Sequence, residues 1–139
     1  MAEPSGNGPA DGRQRIAPLS AFEERAGFTR ALRVGERIVV SGTVGTEEDG
    51  SVSPEAGRQA ERCFEQILDY VAQLGGQAGD VVRVRMFVTD IADADAVTAA
   101  FSRALGHVRP TGTLVAVAAL YSPDWKCEIE AEAVIGGGQ

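Results

Sequence analysis

The sequence predicts an α+β domain, and three observations support this fold class. Short apolar runs early and late in the chain alternate with polar residues at a period of two, as in strands with one buried face. Two other segments repeat apolar residues at helical spacing. The resulting order is β-β-α-β-α-β-β. Because two amphipathic helices cover only one face of such a sheet, the other face is expected to need a partner, which argues against a monomer.

The first half of the chain predicts a hairpin followed by a long helix. Strands are predicted at 29–34 and 37–42, around a Gly-Glu turn. Ser53 is the expected N-cap of the helix and Pro54 its first residue. The helix is expected to end at Gly75, since glycine is common just after a helix. Its apolar face comprises Cys63, Phe64, Ile67, Leu68, Val71 and Leu74.

The second half predicts a strand, a helix and two further strands. Residues 81–88 are rich in valine and alternate with arginine, which favours a strand. Asp93 is the expected cap of the second helix. The last strands are predicted at 114–120 and 125–135, joined by 121–124. One face of the second helix comprises Val97, Ala100, Phe101, Ala104 and Leu105.

The chain is expected to form one domain with loose ends. Residues 1–17 are poor in large apolar side chains, so they cannot offset the entropy of ordering and are predicted to be a disordered tail. The domain is predicted at 18–135, with a flexible C-terminus at 136–139. The sequence shows neither a membrane-spanning apolar run nor a signal-peptide pattern, so we expect a cytoplasmic protein with no membrane partner.

The charge and the cysteine content narrow the possible functions. The net charge is −7 and the sequence contains no Lys/Arg cluster, so a nucleic-acid partner is not expected. Cys63 and Cys127 are far apart in the sequence and lack metal-ligand spacing, and the only histidine is His107. We therefore predict that both cysteines are buried, reduced and structural, and that no metal is bound.

The last predicted strand carries an acidic row. Glu128, Glu130 and Glu132 occupy alternate positions, so their side chains share one sheet face. Arg83 and Arg85 also share a strand face, and they are expected to meet the acidic row or a neighbouring subunit. The alternation by itself favours three solvated glutamates over a functional one.

Several short motifs follow one another along residues 28–134. They are Val39-Val40-Ser41-Gly42-Thr43, Gln59, Leu74-Gly75, Asp80-Val81-Val82-Arg83-Val84, Phe87-Val88-Thr89-Asp90, Pro110 and Glu128-Ile129-Glu130-Ala131. In this order and spacing, they resemble the motifs of the Rid (reactive intermediate deaminase, YjgF) family.

The resemblance implies a chorismate-mutase-like fold with two helices on one face of a mixed sheet. It also implies a homotrimer with a central barrel, and a small-molecule substrate held in clefts between subunits. No cofactor is implied. Typical members hydrolyse imines or enamines released by pyridoxal-phosphate enzymes.

Only some of the family's site residues are present in this sequence. Glu128 matches the acidic residue that holds or activates the attacking water, and Gly42 matches a glycine whose backbone lies near the ligand. Gly112 stands where deaminating members have the arginine that binds the substrate carboxylate, so that contact is lost. Other typical polar groups are replaced too, by Phe28 for a tyrosine, Thr98 for an asparagine and Leu114 for a cysteine.

Four further residues have two readings each. Arg109, three positions before Gly112, either replaces the lost arginine or is a surface charge. Thr111 and Thr113 either donate hydrogen bonds in the cleft or are ordinary strand-end residues. Ser41 is either a strand-end residue or a backbone contact of the ligand, since no basic partner is in view to make it a nucleophile.

The expected function is that of a Rid-like enzyme acting on an imine, an enamine or a related carbonyl intermediate. Glu128 would move a proton or position water. Hydrolysis, cyclisation, dehydration or isomerisation in a bacterial biosynthetic pathway fits better than ordinary 2-imino-acid deamination, because Gly112 supplies no anchor for a carboxylate. The alternative is a trimer that binds small molecules or protects proteins without catalysis.

Overall fold

The computed structural model describes residues 11–136, which form one α+β unit. Two short 3-10 helices, Ala78–Asp80 and Ile91–Asp93, precede β4 and α3. The elements are β1 (Arg13–Arg15), α1 (Ala21–Ala26), β2 (Ala31–Val34), β3 (Arg37–Thr43), α2 (Ala56–Gln73), β4 (Val81–Val88), α3 (Ala94–Leu105), β5 (Thr111–Ala116) and β6 (Cys127–Val134).

The six strands form one mixed sheet in the order β1-β2-β3-β6-β4-β5. The last strand of the chain is central: β6 pairs antiparallel with both β3 and β4. The edge strand β5 is parallel to β4, which requires the crossover that α3 provides. The predicted α+β class with a mixed sheet and two helices is thus confirmed.

Both long helices belong to one side of the sheet. Alternate residues of β6, namely Cys127, Ile129, Ala131 and Ala133, are buried there together with the apolar face of α2. Phe64 and Ile67 of α2 are among the largest fully buried side chains. The opposite face has no helix over it within the described chain, and it carries the glutamates of β6.

The sequence predicted most element boundaries well, but both helix N-caps need correction. The helix α2 begins at Ala56 with Glu55 at the N-cap, so Ser53 is not the cap; its hydroxyl oxygen accepts a hydrogen bond from the Glu55 amide at 3.1 Å, before the helix. Asp93 occupies the N-cap of α3 but makes no side-chain cap bond, whereas Asp90 caps the preceding 3-10 helix. Gly75 follows α2 with φ +94°, as predicted.

The strand predicted at 114–120 lies instead at Thr111–Ala116. As an edge strand, β5 pairs only with β4, whose last residue Val88 lies opposite Ala116. Past that point β5 has no neighbour to continue the ladder, apart from one bond from the Val117 amide to the Val88 carbonyl at 2.8 Å. The chain from 117 to 126 is therefore a loop.

Part of the tail predicted at 1–17 is ordered. Arg13–Arg15 pair with β2, where Arg13 lies opposite Val34, and the adjoining Ile16 is only 7% exposed. Pairing with β2 satisfies the backbone hydrogen-bonding groups of β1. A prediction based only on the number of apolar side chains does not include this contribution. Residues 1–10 and 137–139 of the predicted loose ends lie outside the described residues.

Arginines flank the acidic row, as predicted. Glu130 contacts Arg85 at 2.6 Å across β6 and β4. Glu132 lies 3.0 Å from Arg37 on β3 and 3.8 Å from Arg83 on β4. Two of the three glutamates are thus neutralised by cross-strand partners.

Candidate functional site

A cavity of about 590 Å³ opens at the start of β6, where the carboxylate of Glu128 reaches its wall. The walls come from α1 and the segment after it, from the end of β3 with the residues that follow, and from the loop before β6. The lining residues are Ser20, Phe22, Glu23, Arg25, Phe28, Arg30, Gly42, Val44, Thr46, Tyr121, Ser122, Trp125 and Glu128.

The strand register gives Glu128 an environment unlike that of the other two glutamates. Phe87 of β4, rather than an arginine, lies directly opposite it. On the other side, the pairing of β3 with β6 shifts register between Val40 and Thr43. Partial burial raises the pKa of the Glu128 carboxyl and Glu130 adds to the rise, while the charge of Arg30 opposes it. A carboxyl with a raised pKa is suited to exchanging protons near neutral pH.

Gly42 lies within this register shift, and the Glu128 carboxylate rests against it. A Cβ atom built on Gly42 would overlap Oε2 of Glu128 and lie 3.0 Å from Cδ. The absent side chain therefore makes room for the carboxylate. The Gly42 carbonyl accepts a hydrogen bond from Nη1 of Arg30 at 2.9 Å, which fixes this backbone segment.

Arg30 links the site to α1. Its Nε lies 3.5 Å from Oε2 of Glu23, a residue that is only 4% exposed. Its guanidinium carbon Cζ lies 5.1 Å from the centroid of the Phe28 ring. The Ser20 hydroxyl caps α1 by accepting a hydrogen bond from the Glu23 amide at 3.3 Å. Sequence reasoning missed Arg30 and Glu23, because neither stands in a periodic pattern and their pairing depends on the tertiary position of α1.

Aromatic side chains from two distant segments form the apolar wall. Phe22 packs edge-on against Phe28 with ring centroids 5.9 Å apart, and lies 5.7 Å from Tyr121. Tyr121 in turn lies 6.4 Å from Trp125. The wall therefore runs continuously from α1 to the loop 117–126.

Gln59 of α2 holds that loop in place. Its side chain is fully buried and donates to the carbonyls of Ser53 at 2.7 Å and Asp124 at 3.0 Å. Its Oε1 accepts from the Lys126 amide at 2.8 Å. These bonds fix both residues that flank Trp125. Sequence reasoning noted Gln59 only as a motif residue and did not assign this role.

The cysteines beneath the site are buried and unpaired. The Cys63 thiol donates to the Thr43 carbonyl at 3.2 Å. The neighbouring Cys127 thiol and burial raise the pKa of Cys63 well above its ordinary value, so it stays protonated and is a poor nucleophile. Both cysteines thus fill the core, as the sequence predicted. Between residues 11 and 136, no group of three or more His, Cys, Asp or Glu side chains is arranged to hold a metal ion.

Of the predicted site residues, the structure brings Glu128, Gly42 and Phe28 together in this cavity. Ser41 lines an adjoining cavity of about 630 Å³, which also contacts Phe28. The Ser41 hydroxyl donates to the Thr29 carbonyl at 2.7 Å, so it serves the local backbone.

The other predicted residues lie away from this cavity within a single chain. Arg109 and Thr111 line a separate cavity of about 260 Å³ near Val134, at the other end of β6. Six residues of strand separate Val134 from Glu128, or about 20 Å, so Arg109 does not replace the lost arginine within one chain. The Thr111 hydroxyl donates to the Val82 carbonyl at 2.9 Å.

The predicted residues on β5 and α3 also lie outside the lining of this cavity. A Cβ atom on Gly112 would lie 3.6 Å from the Phe101 ring of α3, so this position faces the helices. Leu114 packs against the core on the same side of β5. Thr113 of β5 and Thr98 of α3 are exposed.

Comparisons with known proteins agree with the fold. Residues 18–135 match the sequence model of the family described as Endoribonuclease L-PSP. The chain is 31% identical over 111 residues to a 2-iminobutanoate/2-iminopropanoate deaminase of Salmonella typhimurium, covering 77% of this chain and 86% of that protein.

Solved structures show the same architecture. Rv2704 of Mycobacterium tuberculosis, a member of the YjgF/YER057c/UK114 family, superimposes with a TM-score of 0.82 at 34% identity, covering 88% of this chain and 99% of that one. TdcF of E. coli, whose structure contains bound serine, gives a TM-score of 0.72 at 26% identity, covering 77% and 87%. None of the helices described between residues 11 and 136 is both long and apolar enough to cross a bilayer.

Proposed function

Because the chain belongs to the Endoribonuclease L-PSP family, also called the YjgF or Rid family, we propose that it hydrolyses an imine or enamine to the corresponding carbonyl compound. Some relatives in this family are named imine deaminases. RNA cleavage is not part of the proposed function, since the net charge of −7 disfavours binding to a polyanion.

The single observation that carries this function is the environment of Glu128. It lies on the wall of a cavity of about 590 Å³, and partial burial raises the pKa of its carboxyl. The neighbouring glutamates of the same row are instead bound by arginines, as Glu130 is by Arg85. A general base needs such a half-desolvated carboxylate that is free to meet water.

In the proposed reaction the Glu128 carboxylate takes a proton from water while the water oxygen bonds to the carbon of the C=N group. The substrate enters as the protonated iminium ion, so the C=N electron pair becomes the nitrogen lone pair and a neutral carbinolamine forms. Glu128 then returns its proton to the nitrogen. The C–N bond breaks, the hydroxyl proton of the carbinolamine passes to the leaving ammonia, and a carbonyl compound and an ammonium ion leave. An enamine enters the same path after protonation at carbon gives the iminium form.

The substrate is expected to differ from the small 2-imino acids that name the Salmonella relative. Gly112 has no side chain to bind a carboxylate, and its position faces Phe101 rather than the Glu128 cavity. Arg109 is equally remote within a chain. A specialised intermediate of a bacterial biosynthetic pathway is therefore proposed.

We also propose that the chain forms a cytoplasmic homotrimer, with the cavity completed at an interface. The open face of the sheet supports this assembly, because apolar Val39 and Phe87 stand there among the paired charges. In such a cleft, Thr111 and Thr113 of one copy would contact the substrate of another.

The test compares Glu128→Gln with the parent protein and with Glu132→Gln, which removes a carboxylate from the same strand face. Imines are generated in situ by an amino-acid oxidase or a monoamine oxidase, and their loss is followed by competition with semicarbazide. Glu128→Gln is expected to lower the rate enhancement by about 100-fold or more, because general-base catalysis contributes on that order. Glu132→Gln is expected to retain it.

Full activity of Glu128→Gln would refute the role of that residue. The alternative function, a trimer that binds ligands without catalysis, predicts that the parent protein accelerates none of the imines while still binding small molecules.

A further inference from the structure

We infer that the cavity selects a neutral substrate with an aromatic or bulky apolar body, and that it does not select a carboxylate. This inference deepens the proposed function and rests on it for the identity of the site. It follows from the walls of the cavity, the state of its charges and its size.

The walls favour an apolar body. Phe22, Phe28, Tyr121 and Trp125 form a continuous series with neighbouring centroids 5.7 to 6.4 Å apart. Tyr121 is 84% exposed in the single chain, so much of its ring is available to a ligand. Aromatic rings of this kind gain most from a partner that is itself flat or apolar.

The charges of the cavity are already balanced. Its lining contains two acids, Glu23 and Glu128, and two bases, Arg25 and Arg30. Nη1 of Arg30 donates a hydrogen bond to the Gly42 carbonyl, and its buried Nε lies beside Glu23. Two of the three guanidinium nitrogens are therefore unavailable to a ligand.

Arg25 is the other cation, and it sits at the solvent-exposed rim. Its guanidinium lies 5.8 Å from the centre of the Phe22 ring. Water and salt screen a charge in such a position. An anionic ligand would therefore meet the Glu128 carboxylate without an unpaired buried cation to compensate.

The size of the cavity agrees with this ligand class. Within a single chain its volume of about 590 Å³ already falls within the range of sites that enclose drug-sized ligands, of roughly 300–1,000 Å³. A three- or four-carbon imino acid would leave most of the aromatic wall uncovered. A phenyl or similar group would cover it while presenting its C=N carbon to Glu128.

The experiment uses stable ligands and the protein's own reporter. Trp125 is the only tryptophan in the chain and lines the cavity, so its fluorescence reports binding without turnover. The full-length protein is titrated with 3-phenylpropanamide, with 3-phenylpropanoate, which matches it in shape but is anionic, and with propanamide, which lacks the ring.

We expect 3-phenylpropanamide to bind at least about 10-fold more tightly than either of the other two. Tyr121→Ala is expected to weaken its binding several-fold, whereas Ile91→Ala, which removes an exposed apolar side chain outside the cavity, is expected to leave it unchanged. Equal or tighter binding of 3-phenylpropanoate overturns the inference, as does equal binding of propanamide or a lack of saturable binding by all three ligands.

This result can be separated from the test of catalysis. If the amide binds as expected while Glu128→Gln retains full imine hydrolysis, the results support the ligand class and contradict the role of Glu128. If Glu128→Gln is inactive but the anionic ligand binds best, the catalytic role stands and the ligand class falls.

Discussion

Three glutamates alternate along β6, and the strand register gives each a different neighbour. Glu130 and Glu132 face arginines, while Glu128 faces Phe87. Alternation in the sequence was enough to predict that the three carboxylates share a face. It was not enough to separate them, because the pairing of one strand with another depends on register and not on spacing within a strand.

The same limit applies to the residues that surround Glu128. Gly42 was predicted from a motif, but Arg30 and Glu23 were not. Arg30 acts through a bond to the Gly42 carbonyl, twelve residues away, and through an ion pair with a helix whose placement no local pattern encodes. Long-range polar pairs of this kind leave no periodic signal in one sequence.

The close approach of Gly42 to Glu128 gives a prediction at the scale of one residue. Gly42→Ala is expected to move the carboxylate by about 1 Å and to lower imine hydrolysis by about 10- to 100-fold, since small misplacements of a catalytic group are costly. The stability should change little, because the atom that must move is the free end of a side chain. Kinetics and thermal unfolding measure the two effects.

Gly79→Ala is the matched control, because a Cβ atom there would meet nothing within 4 Å. Parent-like kinetics of Gly42→Ala would show that the carboxylate does not need this position.

At the scale of elements, the loop 117–126 is where the sequence and the structure differ most. Its apolar start favoured a longer strand, but β4 ends at Val88 and leaves nothing to pair with. By contrast, the predicted bounds of β4 match the observed Val81–Val88, since an alternating valine-rich run has only one way to bury a face. The length of the neighbouring strand decides where an edge strand ends, and the sequence of the edge strand carries no information about that neighbour.

The three hydrogen bonds of the Gln59 side chain, called the Gln59 clamp below, give a prediction for the stability of this loop. Gln59→Leu leaves the carbonyls of Ser53 and Asp124 and the Lys126 amide without their partner. We expect the free energy of unfolding to fall by about 2–4 kcal/mol, because unpaired buried polar groups are costly. The Trp125 emission is expected to shift to longer wavelength as the loop loosens.

Gln73→Leu provides the comparison for this change. It makes the same substitution at an exposed position of α2, where the side chain donates a hydrogen bond to Asp69. If the two variants unfold at the same denaturant concentration, the clamp does not stabilise the loop.

At the scale of the whole molecule, both long helices cover one face of the sheet and leave the other open. This imbalance was foreseen from the element order, since two helices cannot cover both faces. The charges on the open face are largely paired with one another, as in Arg85 with Glu130. Paired charges reduce the cost of covering a face with a second copy.

We expect size-exclusion chromatography with light scattering to give three times the chain mass of 14.5 kDa. Val39→Asp, which places a further negative charge opposite Glu132 on the open face, is expected to shift the protein towards a single chain. Ile91→Asp, at an exposed position between β4 and α3, should not. A parent protein with the mass of one chain would contradict the shared cleft.

The short helix α1 has a consequence for how this protein can change. It carries Phe22 and Glu23, yet apart from Glu23 its residues are exposed. The α1 residues proposed to contact the ligand are thus largely separate from the buried residues that stabilise the fold. Substitutions at Phe22 can alter what the cavity accepts while α2, α3 and the central strands keep the fold. Acquiring a new substrate therefore requires few compensating mutations, and laboratory evolution of this protein has a natural place to begin.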